Sequence, residues 1–548
     1  MNSSLFLLLS FLFSFTSFSL SAKINELNVQ VGEEIRHLDP QQSTGISSAH
    51  IHINLFVGLY SYDHKSAGPV AEMAESYTQN KSASVWTFKL KKNYFWVQNV
   101  NGVVVKKRPV TAHDYVYSYQ RILSPKLASE YGYMLYIIKN AELYNQGQIK
   151  DASQVGIKAL DDYTLQFTLV GSVPSLLSYL PHHSFCAVPK EPIEKHGENW
   201  VAKENIWTSG SFAFKDWELK NKITIIKNPF FPNTKENQID LVNFKFIGTY
   251  SAEAVRSFRA GEIDIDFMAP PSSEISPLKK AGTLKIARQI AMYFVRLNTT
   301  RKPFNDVRVR KALALVAPRE EIVNYVMKAG QEPSYSLVPN TFKTYKPETF
   351  VDAKMPFPKR LELAKKLLAE AGYPEGKGFP KVNYVYNTAE THQKVAVVLS
   401  KAWKEHLGIS VEPLNQEWKV YLASQSSMDF DTLRAGWVAD YEDPMNFLDM
   451  FLSQSGNNRT GFKNKEYDKL IAQAQIEKNL EKRNKIMQQA EKIIMNEVPI
   501  IPLFTYTTLN LVQNYISGFY ANKLDQHQLR FVKIDMNKKE NFLKSIKK

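Results

Sequence analysis

The sequence predicts an α/β protein of several lobes, from three observations: its length, its mixture of strand-period and helix-period segments, and the absence of any long repeat. At 548 residues the chain exceeds what one hydrophobic core fills, because single cores stop growing beyond roughly 250–300 residues. Two or three lobes are therefore expected. Residues 85–90 (VWTFKL) and 164–169 (TLQFTL) alternate apolar and polar side chains, as half-buried strands do. Residues 359–372 (KRLELAKKLLAEAG) repeat apolar positions at helical spacing and end on Gly372-Tyr373-Pro374, a glycine stop with proline beyond it. Residues 466–496 follow the same helical spacing with a charged outer face. With no 20–50-residue repeat, heptad run or low-complexity stretch, solenoids and coiled coils are set aside.

Hydrophobic residues make up 44% and charged residues 22% of the chain, near globular averages. A disordered chain and a multi-span membrane protein are excluded on those numbers. Residues 5–20 are almost entirely Leu, Phe and Ser, and the first charge is Lys23, which reads as a signal peptide (residues 1–22) cleaved near Ser21/Ala22. The apolar run is short for a bilayer span, which needs about 20 residues. Cys186 is the single cysteine, so no internal disulfide forms and no cysteine stands at the cleavage site to take a lipid. An exported protein free in a periplasm, with Cys186 packed in a core, is expected. The net charge of +15 invites a nucleic-acid reading. The lysines are spread along the chain, with a modest C-terminal cluster, and no glycine-flanked aromatic motif for stacking bases is present. No nucleic-acid partner is predicted.

A search for catalytic chemistry returns no G-x-S-x-G, H-E-x-x-H, Walker loop or cysteine–histidine arrangement. The close histidine pairs His50/His52 and His182/His183 lack Cys, Asp or Glu at ligand spacing, apart from Cys186 three residues after His183. No enzyme, no metal and no cofactor are predicted.

Landmarks run in order along nearly the whole chain: Leu38-Asp39-Pro40, Leu55-Phe56-Val57-Gly58-Leu59, Ala74-Glu75-Ser76, Trp86-Thr87-Phe88-Lys89-Leu90 ending at Trp96, Thr111-Ala112-His113-Asp114, Gly156 to Asp162, Gly261-Glu262-Ile263-Asp264, Phe304 to Arg310, and Trp437-Val438-Ala439-Asp440-Tyr441. From about residue 27 to 535 the chain resembles the periplasmic oligopeptide-binding proteins of the dipeptide/oligopeptide/nickel solute-binding family. The resemblance implies a three-lobed periplasmic-binding-protein type II (Venus-flytrap) fold with an extra domain, acting as a monomer. Lobe I would take residues 23–56, 183–289 and 507–548 with a basic tail, lobe II 57–182 and lobe III 290–506. Closure of lobe I on lobe III would bury an oligopeptide and present it to an inner-membrane ABC permease. A receptor for murein peptides or dipeptides is the alternative within the family.

A receptor that ignores side chains must grip what all peptides share, a charged amine at one end and a carboxylate at the other. An ammonium buried without a partner is costly, so an aspartate is its expected counter-ion. By resemblance Asp440 takes that role. Arg434 would meet the carboxylate of shorter peptides, its planar fork suiting bidentate contact, and His392 that of longer ones. Trp418, Trp437 and Tyr131 would wall roomy side-chain pockets. Trp418 stands 26 residues after His392 and 16 before Arg434 (418 − 392; 434 − 418), the spacing of the oligopeptide branch. Thr44 and Ile46, around Gly45, match a loop whose backbone pairs with the peptide like an added strand, and Gly436 and Val438 flank Trp437 on the opposite wall. The chain departs from the family pattern at Val57 and Thr44, where acidic residues are usual. Val438 also replaces a disulfide cysteine whose partner would lie near Ala291. At Gln425 the branch carries an arginine, so preferences among ligand side chains are expected to shift.

Overall fold

The computed structural model describes residues 24–547 except 174, 343 and 351–354. The signal segment and its cleavage site lie outside the described residues. Among those described, no helix is long and apolar enough to cross a membrane.

Two long antiparallel strands, Leu284–Leu297 and Ile500–Val512, form the spine of an 11-stranded mixed sheet. On one side the sheet continues through Ile265–Asp266, Glu26–Gln30, Leu241–Lys245, Lys222–Lys227 and Phe212–Glu218. On the other it continues through Thr432–Val438, Val382–Asn387 and Val411–Gln416. The register of the two spine strands breaks between Arg288 and Met292, opposite Thr507 and Thr505. Such an irregularity bends a ladder locally, and here it lies between the two halves of the sheet.

A separate antiparallel sheet pairs Ala74–Gln79, Val85–Leu90, Thr164–Thr168 and Ile157–Asp161. Both strands read from alternation are therefore present, and they pair with each other, Trp86 opposite Phe167 and Phe88 opposite Leu165. Helix Ala112–Ile122 starts on a Thr111/Asp114 capping box and packs its apolar side here. Near its end Arg121 pairs with the fully buried Asp39 at 2.5 Å, joining the first landmark of the chain to this unit.

Helix Phe357–Glu370 closes as its sequence indicates, with Gly372 at φ 94°. The charged segment 466–496 is not one helix but two, Lys465–Ile476 and Leu480–Glu497. Asn479 divides them: its side chain accepts from Lys482 N–H and caps the second helix, an interaction that periodicity does not register. Cys186 is buried, and burial pushes its thiol up to about 12, where it stays protonated and inert.

Candidate functional site

Strand Thr432–Val438 and the turn after it carry one wall of a cleft. Asp440, whose side chain is 12% exposed, accepts hydrogen bonds at Oδ1 from the Tyr131 hydroxyl (3.3 Å) and faces His182 Nε2 at 3.4 Å. Asn446 Nδ2 reaches Oδ2 at 3.5 Å, and Asn446 Oδ1 receives both the Asp440 N–H and the Trp437 indole N–H. The Tyr62 hydroxyl donates to the Asp440 carbonyl at 3.1 Å. Because Ser184 N–H donates to His182 Nδ1, the proton sits on His182 Nε2 and points at the carboxylate. Among the described residues the partners of this carboxylate are a phenol, an amide and an imidazole, with no arginine or lysine paired to it.

Arg434 lies on the same strand and shows the opposite deficiency. Its Nη2 donates to the Tyr506 hydroxyl (2.8 Å) and its Nη1 to Asn387 Oδ1 (3.4 Å), while the guanidinium lies 4.9 Å from the Tyr293 ring centroid. Nε is buried without a partner. Among the described residues no carboxylate pairs with it. A Cβ at Gly436 would come within 3.0 Å of Tyr506 Oη and crowd the phenol that holds Arg434. His392 is 2% exposed, edge-on to Tyr250 at 5.3 Å and 3.5 Å from the Tyr293 hydroxyl. Burial and the nearby Arg434 hold its pKa well below 6.5, which favours the neutral imidazole over the cation expected from the sequence.

The remaining sequence-derived residues fall around these two ends. Trp418 opens helix Trp418–Ser427 and stacks on Tyr421 at 5.5 Å; Trp437 stands half-buried beside Asp440. Thr44 and Gly45 are exposed and Ile46 is half-buried, with Gly45 in an extended positive-φ conformation (92°, 160°) and open space beside it. Val438 pairs directly with Ala291 in the ladder. Sequence reasoning did not single out Tyr62, Asn446, Tyr293 or Tyr506, and it weighed His182 only as half of a close histidine pair without metal-ligand spacing. No local signal marks them, for His182 and Asp440 are 258 positions apart (440 − 182).

The segment carrying Glu130 and Tyr179 packs against the one carrying Tyr441 and Arg459. Tyr179 stacks on Tyr441 at 3.9 Å and their hydroxyls are 2.9 Å apart. Arg459 Nη2 reaches Glu130 at 3.0 Å. Two other features lie elsewhere. A cavity of about 400 Å³ between Tyr94, Phe231 and Arg530 contains the already paired Arg530–Glu72. His50, Asp525 and His527 converge in the core, but His50 Nε2 is bonded to the Asp525 carbonyl (2.5 Å) and His527 Nε2 to its carboxylate (2.8 Å). Sequence inspection could not pair these three, which come from opposite ends of the chain.

Residues 68–459 match the family model for bacterial extracellular solute-binding proteins, family 5. The chain belongs to that family. Its relatives include the periplasmic oligopeptide-binding protein OppA of Salmonella typhimurium, 36% identical over 89% of this chain and 88% of that one. Among solved structures, the Haemophilus influenzae OppA complex with the peptide RPPGFSPFR superposes with a TM-score of 0.86 (32% identity, 93% of this chain, 99% of the other). The Escherichia coli murein tripeptide-binding protein MppA gives 0.87 (31% identity, 94% and 99%), whereas MppA in its unliganded open form gives 0.66 at the same identity (94% and 98%). The fold of this family-5 protein is therefore the type II periplasmic-binding-protein fold, with its lobes disposed as in the peptide complex and not as in the open form.

Proposed function

We propose that this family-5 protein captures short peptides between closing lobes, in the periplasm, and delivers them to an ABC permease. The observation that carries the reading is that, among the described residues, no arginine or lysine pairs with Asp440 at one end of the cleft and no carboxylate with Arg434 at the other. A zwitterion answers both. Trp437, Trp418 and Tyr131 provide faces for ligand side chains, and the exposed backbone at Thr44–Gly45–Ile46 faces a strand-like ligand. The bend at Arg288–Met292 supports placing the hinge near residues 289 and 507, between lobe I and lobe III. Removal of a signal peptide near Ser21/Ala22, the absence of a lipid anchor, monomeric action and the lack of catalysis are part of this reading.

Incubation of the purified protein with tri- to pentapeptides tests it by calorimetry and mass spectrometry together. Intact recovery with saturable binding, and a melting temperature rising as RT ln(1 + [L]/Kd), are expected. Steady release of hydrolysis products, or no binding of any peptide, overturns it. MppA relatives keep a murein peptide as the second candidate ligand.

A further inference from the structure

Arg296 is a second cation without a counter-charge. It lies on spine strand Leu284–Leu297, is 2% exposed, and leaves Nε and Nη1 with no hydrogen-bond partner. Nη2 reaches the Met450 sulfur at 4.0 Å, the guanidinium lies 5.7 Å from the Phe294 ring centroid, and among the described residues no carboxylate pairs with it. What surrounds it makes matters worse: burial, and after it the positive charge of Arg459, push its pKa down to about 9. Arg459 has Glu130 as its own carboxylate, contributed from the opposite side of the cleft and 45% exposed. The Gln425 side-chain oxygen, reached through Tyr421, is occupied by the Tyr421 hydroxyl at 3.2 Å. Leaving a buried guanidinium unpaired is among the costliest arrangements a fold can hold.

The position of Arg296 indicates what would relieve that cost. In the ladder with strand Thr432–Val438, Met292 pairs with Trp437 and Arg296 with Leu433. Side chains alternate faces along a strand, so Arg296 shares its face with Met292 and Trp437, while Arg434 points to the other face among the tyrosines. Tyr421, which interacts electrostatically with Arg296, stacks on Trp418. The orphan guanidinium therefore lies on the face of the sheet that carries Met292 and Trp437, four ladder positions along from them, and on the opposite face from Arg434.

We infer that Arg296 receives the side-chain carboxylate of an acidic ligand residue, so that this receptor favours peptides carrying an aspartate or glutamate. The inference rests on the peptide reading and adds a side-chain preference to it. The test is calorimetry with trialanine and with its variants carrying Glu, or the uncharged isostere Gln, at each of the three positions in turn. At one position Glu is expected to bind about 10- to 100-fold tighter than Gln, the range of a hydrogen bond to a charged group. Arg296→Met should abolish that difference while leaving trialanine within about threefold. Because the substitution removes an unpaired buried charge, the ligand-free variant should melt no lower than wild type. Equal Glu and Gln affinities at every position of the wild-type protein overturn the inference even if the variant fails to fold, and leave the peptide reading intact as long as trialanine binds. If none of the seven peptides binds, both fall. A tripeptide with γ-linked D-glutamate in the middle separates the two sources of the carboxylate: preference for it over the α-linked peptide assigns the acidic residue to a murein fragment, and the reverse to ordinary peptides.

Discussion

Asp440 and Arg434 stand on one stretch of chain, yet the two ends of the cleft are built from different parts of the molecule. The hydrogen bonds at Asp440 come from Tyr62, Tyr131 and His182, all before residue 183, and from Asn446 on its own side. Those at Arg434 come from Tyr506 and Asn387, both on strands of the same large sheet. The surroundings of Arg434 thus come from within the sheet, with Tyr250 placed against the neighbouring His392. Those of Asp440 combine residues from before position 183 with Asn446. Under the proposed function a ligand lacking an amine would leave Asp440 charged and unpaired in the shut state, so closure is expected to depend on the ligand's amine more than on its carboxylate.

The largest effect should come from breaking the Asp440 end. Removing one partner of a desolvated charge pair costs about 3–5 kcal/mol, so Asp440→Ala is expected to weaken tripeptide binding by a factor on the order of 100 to 1000. Calorimetry of Asp440→Ala with a tripeptide and its N-acetyl derivative checks this, with the melting temperature as a control on folding. Equal affinities for wild type and variant would remove Asp440 from the site.

At the Arg434 end the effect should be smaller, because Arg434 has phenol and amide neighbours within its own sheet. Arg434→Met is expected to cost about 10- to 100-fold for a tripeptide, from a charged hydrogen bond of about 1.5–3 kcal/mol. The C-terminal amide of that tripeptide should bind wild type and Arg434→Met alike. If the amide also loses affinity on substitution, Arg434 supports the sheet and does not meet the ligand carboxylate.

The smallest effect sharpens the part played by His392. Its pKa is depressed in the fold, so the stability it contributes is full above about pH 6.5 and declines as pH falls below that value, by up to about 1.4 kcal/mol per pH unit for each such histidine. His50, lowered to about 4, and His52, lowered to about 3, both by burial, act in the same direction. Melting temperature should therefore drop between pH 6.5 and 5, whereas tetrapeptide affinity, measured where the protein is fully folded, should not rise. An affinity that climbs as pH passes down through 6.5 would mean that His392 charges and serves as the distal cation.

Much of this molecule is written in local pattern. The strands at 85–90 and 164–169 and the helix ending at Gly372 were legible because period and stop signals act over a few residues, and the Trp437–Tyr441 motif located the wall of the cleft. Where a local interaction is not periodic the reading failed, as when Asn479 divides one charged segment into two helices. Contacts that join distant parts of the chain could not be read at all. The sequence by itself determined the α/β fold class and the family. Only the tertiary structure decided which side chains surround Asp440, that burial and Arg434 lower the His392 pKa, and that among the described residues Arg296 has no carboxylate beside it. The charge state and satisfaction of a buried group depend on which remote side chains are packed against it, and no spacing along the chain encodes that.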